Sequence, residues 1–222
     1  GVGALLRSNG VTVVKGEAAL SGEHEIACGG KTYTADSIIL CGGSVATRIP
    51  IPGIDNPNVL TSTEILALKE LPDKLVIIGG GVIGVEFATF YRNLGCAVTL
   101  VEGMDRLLPN MDRELGQNLQ QIMKKQGVEV LTNAMVQSLE QTESGLAVHV
   151  LQKGAEKAVT GEKVLCAIGR RPCWDGLFAP DLTPETRGRS LRVDEDFQTS
   201  IPGVYAIGDV SAVIQLAHVA AA

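Results

Sequence analysis

Apolar positions in this chain gather into short runs separated by stretches of helical spacing, a rhythm of strand, helix and strand that is clearest in the middle of the molecule. Leu75-Val76-Ile77-Ile78 reads as a buried strand. Val82, Val85, Tyr91 and Leu94 then recur at roughly helical spacing over 82–94, and Ala97-Val98-Thr99-Leu100-Val101 reads as the next, parallel strand. Gly95 is placed to end the intervening helix in a left-handed conformation. Beyond Glu102, Leu115, Leu119, Ile122 and Met123 mark a second helix at i, i+4, i+7 and i+8, with Gly127 at its end. Val128-Glu129-Val130 is a third strand, Leu146, Val148 and Val150 alternate in a fourth, and the run from Glu162 to Ile168 returns to the sheet before Gly169. The pattern predicts an α/β fold, doubly wound, with an inserted antiparallel ribbon.

The flanks are less regular. Residues 11–41 read as short strands: Val11 with Val13, then Glu25-Ile26-Ala27-Cys28, then Tyr33, then Ser37-Ile38-Ile39-Leu40-Cys41, closed by Gly42-Gly43. The prolines in Arg48-Ile49-Pro50-Ile51-Pro52-Gly53-Ile54 make that stretch a stiff connector rather than a sheet element, and a domain boundary is expected near it. Thr61-Ser62-Thr63-Glu64 has the form of a capping box that opens a short helix, stopped at Leu71-Pro72. Residues 175–192, rich in proline, glycine and charge, read as a surface excursion with another boundary inside it. The run from Thr199 to Ala206 reads as a buried strand ending in Ile207-Gly208-Asp209, either a plain turn or a place where a ligand approaches Gly208 and gives its hydroxyl protons to Asp209.

At 222 residues, with 45% apolar and 20% charged residues, the chain has room for one large or two modest domains. Its formal charge of −6 and lack of a basic run argue against nucleic acid as a partner. No apolar stretch approaches the roughly 20 residues that cross a bilayer, and Gly1-Val2-Gly3-Ala4-Leu5-Leu6 lacks a basic leader and cleavage signal, so the chain reads as cytoplasmic, with no membrane partner, unless a targeting segment has been removed. Cys28, Cys41, Cys96, Cys166 and Cys173 include no C-x-x-C pair, which suggests reduced thiols and no metal site. Cys41, Cys96 and Cys166 lie in or beside strand runs, where a cysteine serves as a small core residue.

The chemistry is concentrated in Gly79-Gly80-Gly81-Val82-Ile83-Gly84, set between the first central strand and its helix. In a glycine turn of this kind Gly79 permits the tight bend, Gly81 lets the backbone approach a pyrophosphate, and Gly84 allows the helix to pack closely on the strand, while unpaired helix amides face the anion. Glycines also collect in ordinary turns, so the setting between two strands carries the weight. Glu102 closes the second strand eighteen residues past Gly84, where a carboxylate can accept both hydroxyl protons of an adenosine ribose; the bland alternative is a solvated strand-end acid. Its charge, with that of Asp105, is expected to repel a 2′-phosphate and to favour NAD over NADP. Arg106 is the one cation evident nearby and reads as a surface charge.

Several stretches together resemble the ordered motifs of the flavin-dependent pyridine nucleotide-disulfide oxidoreductases: Ser37 to Ser44, Gly79 to Glu86, Val101-Glu102, Ala167-Ile168-Gly169-Arg170-Arg171-Pro172, and Val204 to Asp209. Within that family the likeness is greatest to the members that oxidise dihydrolipoamide, through Gly79 to Glu86, Leu107-Leu108-Pro109 and Gly169 to Pro172, although mercuric and NADH-linked disulfide reductases share the motifs. The resemblance implies a Rossmann-like NAD-binding domain inserted in an incomplete, discontinuous FAD-binding domain. Residues 1–47 and 190–222 would form the FAD domain, 48–72 a linker with a short helix, 73–174 the NAD domain, and 175–189 a connecting excursion.

It further implies that Gly79, Gly80, Gly81, Val82, Ile83 and Gly84 hold the NAD pyrophosphate and Glu102 the adenosine ribose, with Met135 and Gly169 lining the adenosine and nicotinamide sides. Glu86 would sit by the nicotinamide, though a carboxylate in a first helical turn is also explained by the helix dipole. Gly42, Asp209 and Ala217 would touch FAD. The family's glycine-rich FAD turn, its redox cysteine pair and its C-terminal dimerisation domain with a His and Glu acid–base pair have no match here, so no catalytic residue is expected within the chain. His24, His149 and His218 are expected to be non-catalytic. The reading is therefore an internal fragment that binds NADH without retaining FAD or turning over, cut from an enzyme with a lipoyl or other small-molecule substrate that is a homodimer when whole. A stand-alone NAD-binding module, or a reductase of mercuric ion or of another disulfide, remains as an alternative.

Overall fold

The structure, a computed structural model, describes residues 1–211 and 215–221. Its backbone contacts divide the chain into a continuous unit, Ala46–Arg170, and a second unit assembled from Gly1–Val45 and Arg171–Ala222.

The continuous unit is built on a five-stranded parallel sheet in the spatial order Val59–Leu60, Lys163–Cys166, Lys74–Ile78, Ala97–Val101, Glu129–Leu131. The central strand is buried from Leu75 to Ile78, the unbroken apolar run that a strand covered on both faces requires. From it the chain steps outward through the helices Val82–Asn93 and Arg113–Lys125, then returns to lay Lys163–Cys166 on the other side. Where the winding reverses, at the carboxyl ends of Lys74–Ile78 and Lys163–Cys166, a sheet of this kind opens a crevice.

Alternate side chains of the central strand serve opposite layers. Leu75 and Ile77 join Val85, Ala88, Tyr91 and Met123 beneath the helices. Val76 and Ile78 meet Val136, Leu139, Leu146, Val148 and Val150 of an antiparallel ribbon formed by Ala134–Thr142, Gly145–Gln152 and Ala155–Gly161. The helical stripes are narrower than their apolar spacing predicts, because Val82, Leu94, Leu115 and Ile122 are exposed. Small residues bring these helices close instead. A Cβ on Gly84 would lie 1.8 Å from the Gly79 carbonyl oxygen, and one on Gly116 would lie 2.2 Å from that of Leu107.

The stretch expected as linker belongs to this unit. Ile49, Ile51 and Ile54 pack on the ribbon, and the Leu139 amide donates to the Pro52 carbonyl at 2.8 Å. The capping box forms as the sequence suggests: Glu64 accepts from the Thr61 amide at 2.7 Å and from the Thr61 hydroxyl, while the Thr63 amide donates to Thr61 Oγ1. The helix it opens spans only Ser62–Ile65, ending well before Pro72.

In the second unit, Ile38–Leu40 pairs in parallel with Val204–Ala206, and Ala18–Gly22, Glu25–Cys28 and Lys31–Thr34 form an antiparallel sheet. Val11 and Val13 are exposed and lie outside any strand, since no described strand pairs with them; a helix, Val2–Ser8, precedes them. His24 sits in the turn between two strands and faces the Ala35 carbonyl. The supposed surface excursion supplies core: Phe178 and Leu182 pack against Leu20, Ile38, Ile201 and Val204, and Leu191 is buried with Ala206 and Val210. Of the cysteines expected inside, Cys96 and Cys166 are buried but Cys41 is exposed, its strand having one open face, whereas Cys28 is buried.

Candidate dinucleotide site

Each glycine of the turn has a distinct physical reason. Gly79 has φ +110°, open only to a residue without a side chain, and a Cβ there would meet the Ala167 carbonyl oxygen at 2.4 Å. That contact places the turn at the switch point between the two strand ends. Around the Cβ position of Gly81, by contrast, nothing lies within 4 Å. Gly81 is also the N-cap of Val82–Asn93 and gives that helix no side-chain cap, so no capping side chain takes up its first amides. An uncapped helix start beside a glycine that the chain itself leaves roomy is suited to an anion.

Glu102 is tied to this turn. Its side chain is 8% exposed, and it accepts from the Gly80 amide at 2.6 Å through Oε2 and from the Met104 amide at 2.7 Å through Oε1. The backbone is fixed as firmly, with the Glu102 amide donating to Leu131 at 2.8 Å and its carbonyl accepting from Ala134 at 3.0 Å. A carboxylate oxygen accommodates about two acceptor interactions, so each keeps capacity for a hydroxyl donor. Gly80 must also lack a side chain: a Cβ would fall 2.6 Å from Leu107 and 3.0 Å from the Glu102 carboxylate. The loop after Glu102 folds back over the turn, where the Leu108 amide donates to the Gly80 carbonyl at 2.9 Å. Leu107 and Leu108 carry this contact, which the helical and strand periodicities do not register.

Two expectations about this loop are corrected. Asp105 is not an uncompensated negative charge, because Arg106 and Arg113 each reach one of its oxygens at 3.0 Å. Desolvation would raise the Asp105 carboxyl, but Arg113 and Arg106 outweigh it and hold it below the usual range. Arg106 is not a plain surface charge either. Its side chain is 20% exposed, it donates to the Pro109 carbonyl at 3.0 Å, and its Nε is buried without a hydrogen-bond partner. Arg113 lies eight residues from Asp105 in the sequence, and only the fold of the loop brings the first turn of its helix back to it.

The remaining sites divide between the units. In the continuous unit Met135 is exposed and its terminal atoms lie against Gly103, beside Glu102; Met104, which the sequence did not single out, is exposed in the same loop. Gly169 has φ +119° and accepts from the Thr47 amide at 3.0 Å. Glu86 is exposed and lies in the second turn of its helix, whose first turn holds no acid, so the dipole does not account for it. It lines a groove of about 480 Å³ with Leu66, Phe87, Phe90 and Leu94. In the second unit, Ser44 donates to Asp209 at 2.5 Å, Gly208 has φ +72°, and Ala217 is exposed on the helix Ala217–Ala221. A Cβ on Gly42 would strike the Cys173 carbonyl oxygen at 2.4 Å, so its lack of a side chain has a cause within the chain. Among the described residues no group of three or more His, Cys, Asp and Glu is placed to hold a metal ion, and no helix is long and apolar enough to cross a membrane.

A parallel sheet with a glycine turn at its switch point and an acid closing the neighbouring strand defines a doubly wound protein of the Rossmann-like class. The particular lineage follows from comparison: the profile of the pyridine nucleotide-disulphide oxidoreductases matches residues 1–222, and the chain belongs to that family. It is 38% identical over 227 residues to dihydrolipoyl dehydrogenase of Mycoplasma pneumoniae, covering 99% of this chain and 48% of that protein. The counterparts of Acholeplasma laidlawii and Bacillus subtilis are 37% and 39% identical, with 65% and 47% of their lengths covered. Among solved structures, the HOCl-induced flavoprotein disulfide reductase RclA from Escherichia coli superposes with a TM-score of 0.86 at 32% identity, over 99% of this chain and 52% of that one. The chain thus spans about half the length of most of these relatives.

Proposed function

We propose that the chain holds NAD(H), with the pyrophosphate at Gly79, Gly80, Gly81, Val82, Ile83 and Gly84 and the adenosine ribose on Glu102, within a flavoprotein that oxidises dihydrolipoamide with NAD+. The observation that carries this reading is the open space at Gly81 over an uncapped helix start, pinned through Gly80 to a buried acid. No described residue fills the room left beside Gly81, and the helix-start donors there match a doubly charged group. Glu102 is held by two amides in one orientation, so it meets the ribose without first being ordered. Met104 and Met135, exposed beside it, offer apolar surface to the adenine. Glu86 and Gly169 would flank the nicotinamide.

On this reading Ala46–Arg170 is the NAD-binding domain, and the unit made of Gly1–Val45 and Arg171–Ala222 is part of an FAD-binding domain. Asp209, already accepting from Ser44 beside Gly208, suits a hydroxyl-bearing group, and Ala217 is assigned by resemblance on an exposed helix. Gly42 is assigned by resemblance, since Cys173 alone explains its glycine. FAD, when bound, supplies the two-electron relay between thiols and nicotinamide. The five cysteines are free thiols, in keeping with a cytoplasmic setting. By the same likeness the whole protein would be a homodimer. Calorimetric titration with NADH tests the reading: saturable binding lost in Gly81→Val supports it, and no heat of binding overturns it.

A second reading changes only the substrate. The likeness to RclA, at a TM-score of 0.86, favours a flavoprotein disulfide reductase. Assaying the whole protein with dihydrolipoamide against low-molecular-weight disulfides separates the two.

A further inference from the structure

The loop 102–112 and the first residue of the helix after it bring together an acid suited to a ribose and two arginines suited to a phosphate, and it is the acid that is bonded to the turn. Arg106 and Arg113 are each committed to a separate oxygen of Asp105 at 3.0 Å. The loop is held over the glycine turn by the bonds from the Gly80 amide to Glu102 and from the Leu108 amide to Gly80, and the first turn of Arg113–Lys125 is packed close by Gly116, whose Cβ position lies 3.7 Å from Arg106 Cδ. A nucleotide whose ribose rests on Glu102 would meet Asp105 and Arg106 three and four residues further along the same loop, with Arg113 joined to them through Asp105. A guanidinium is the preferred partner of a phosphate, and an arginine near the acid is how a site of this type accommodates a 2′-phosphate. Arg106 gives Nη2 to the Pro109 carbonyl and Nη1 to Asp105, so removing the Asp105 charge releases one end of its fork. Arg113 is 61% exposed and Asp105 is its one ion pair among the described residues.

We propose that Asp105 is a specificity-determining positioning residue that keeps NADPH out by occupying Arg106 and Arg113. The proposal rests on the reading of Gly79–Gly84 and Glu102 as the NAD(H) site. Asp105 does not touch the coenzyme. It neutralises the two cations that would otherwise meet a 2′-phosphate carrying a charge between −1.5 and −2, estimated from the roughly pH 6 second ionisation of phosphate esters. Glu102 supplies repulsion, and Asp105 removes the attraction that could offset it. Selectivity thus follows from how the local charges are paired, which the net charge of the loop does not reveal.

The test is fluorescence or calorimetric titration of the chain, Asp105→Asn and Asp105→Asn/Arg113→Ala with NADH and with NADPH. The expected result is that Asp105→Asn tightens NADPH about tenfold while NADH changes less than about twofold, that the gain shrinks as salt is raised, and that Arg113→Ala cancels it. Asp105→Asn binding NADH normally with no gain in NADPH overturns the lock and leaves the coenzyme site standing. An unsubstituted chain that binds both coenzymes equally also overturns it. A chain that binds neither overturns the coenzyme reading itself, and the lock with it.

Discussion

Glu102 accepts the Gly80 amide proton at 2.6 Å, so the acid that ends one strand and the glycine turn that ends its neighbour form one rigid corner. Glu102 thereby serves the fold before it serves any ligand. Replacing it by Ala leaves two amides in a buried corner without an acceptor, at a cost of about 1–3 kcal/mol in stability, and removes the ribose acceptor as well. Thermal unfolding and NADH calorimetry on Glu102→Ala should both fall. Unchanged affinity would remove Glu102 from the coenzyme site, and an unchanged midpoint would remove it from the corner.

Gly81 and Gly84 separate binding from folding. Gly84→Ala drives a Cβ to within 1.8 Å of the Gly79 carbonyl oxygen, an overpacking expected to destabilise by about 1–3 kcal/mol or more. Gly81 has φ −74° and open surroundings, so Gly81→Ala should keep the unfolding midpoint while weakening NADH. A Gly81→Ala protein with full NADH affinity would argue that no phosphate approaches there.

Burial pushes the Cys96 thiol up to about 11 from its ordinary 9.0, and the Cys166 thiol upward as well. In the folded state the protonated thiol is the favoured form, so this contribution is complete below pH 9. It is lost as pH rises toward 11, where the unfolded chain ionises first. Cys96→Ala should flatten the alkaline fall of the unfolding midpoint over that window. Under native conditions at neutral pH, a thiol reagent should label exposed Cys41 and leave Cys96 and Cys166 untouched until denaturant is added.

Hydrogen bonds from the Thr61 hydroxyl and amide lower the Glu64 carboxyl below its ordinary 4.5. The stabilisation is present above pH 4.5 and disappears as pH falls through the lower folded value. Thr61→Ala should cost about 0.5–2 kcal/mol at neutral pH. The gap between Glu64→Gln and the unsubstituted chain, followed by thermal unfolding, should close on acidification; a constant gap would refute the capping role.

Much of this protein is written locally. The apolar run Leu75–Ile78, the glycines that follow it, Gly95, Gly127 and the Thr61–Glu64 cap each act over a few residues, so strand, turn and helix ends are legible from spacing alone. The order Gly79 to Gly84, then Glu102, places an acid on the strand beside the turn because one βαβ crossover has a nearly fixed length. What the sequence could not decide is which side chains meet across the chain. Val11 and Val13 alternate like a strand but pair with no described strand, and Leu115 and Ile122 keep helical spacing yet stay exposed, while Gly116 and Met123 are the residues that helix buries. Arg113 reaches Asp105, Leu108 reaches Gly80, and Phe178 reaches the core under Ile38 and Val204 only once the loops have folded back. Propensity and periodicity are set by neighbours in the chain, whereas charge pairing and burial depend on distances that exist only after the sheet has brought distant segments together.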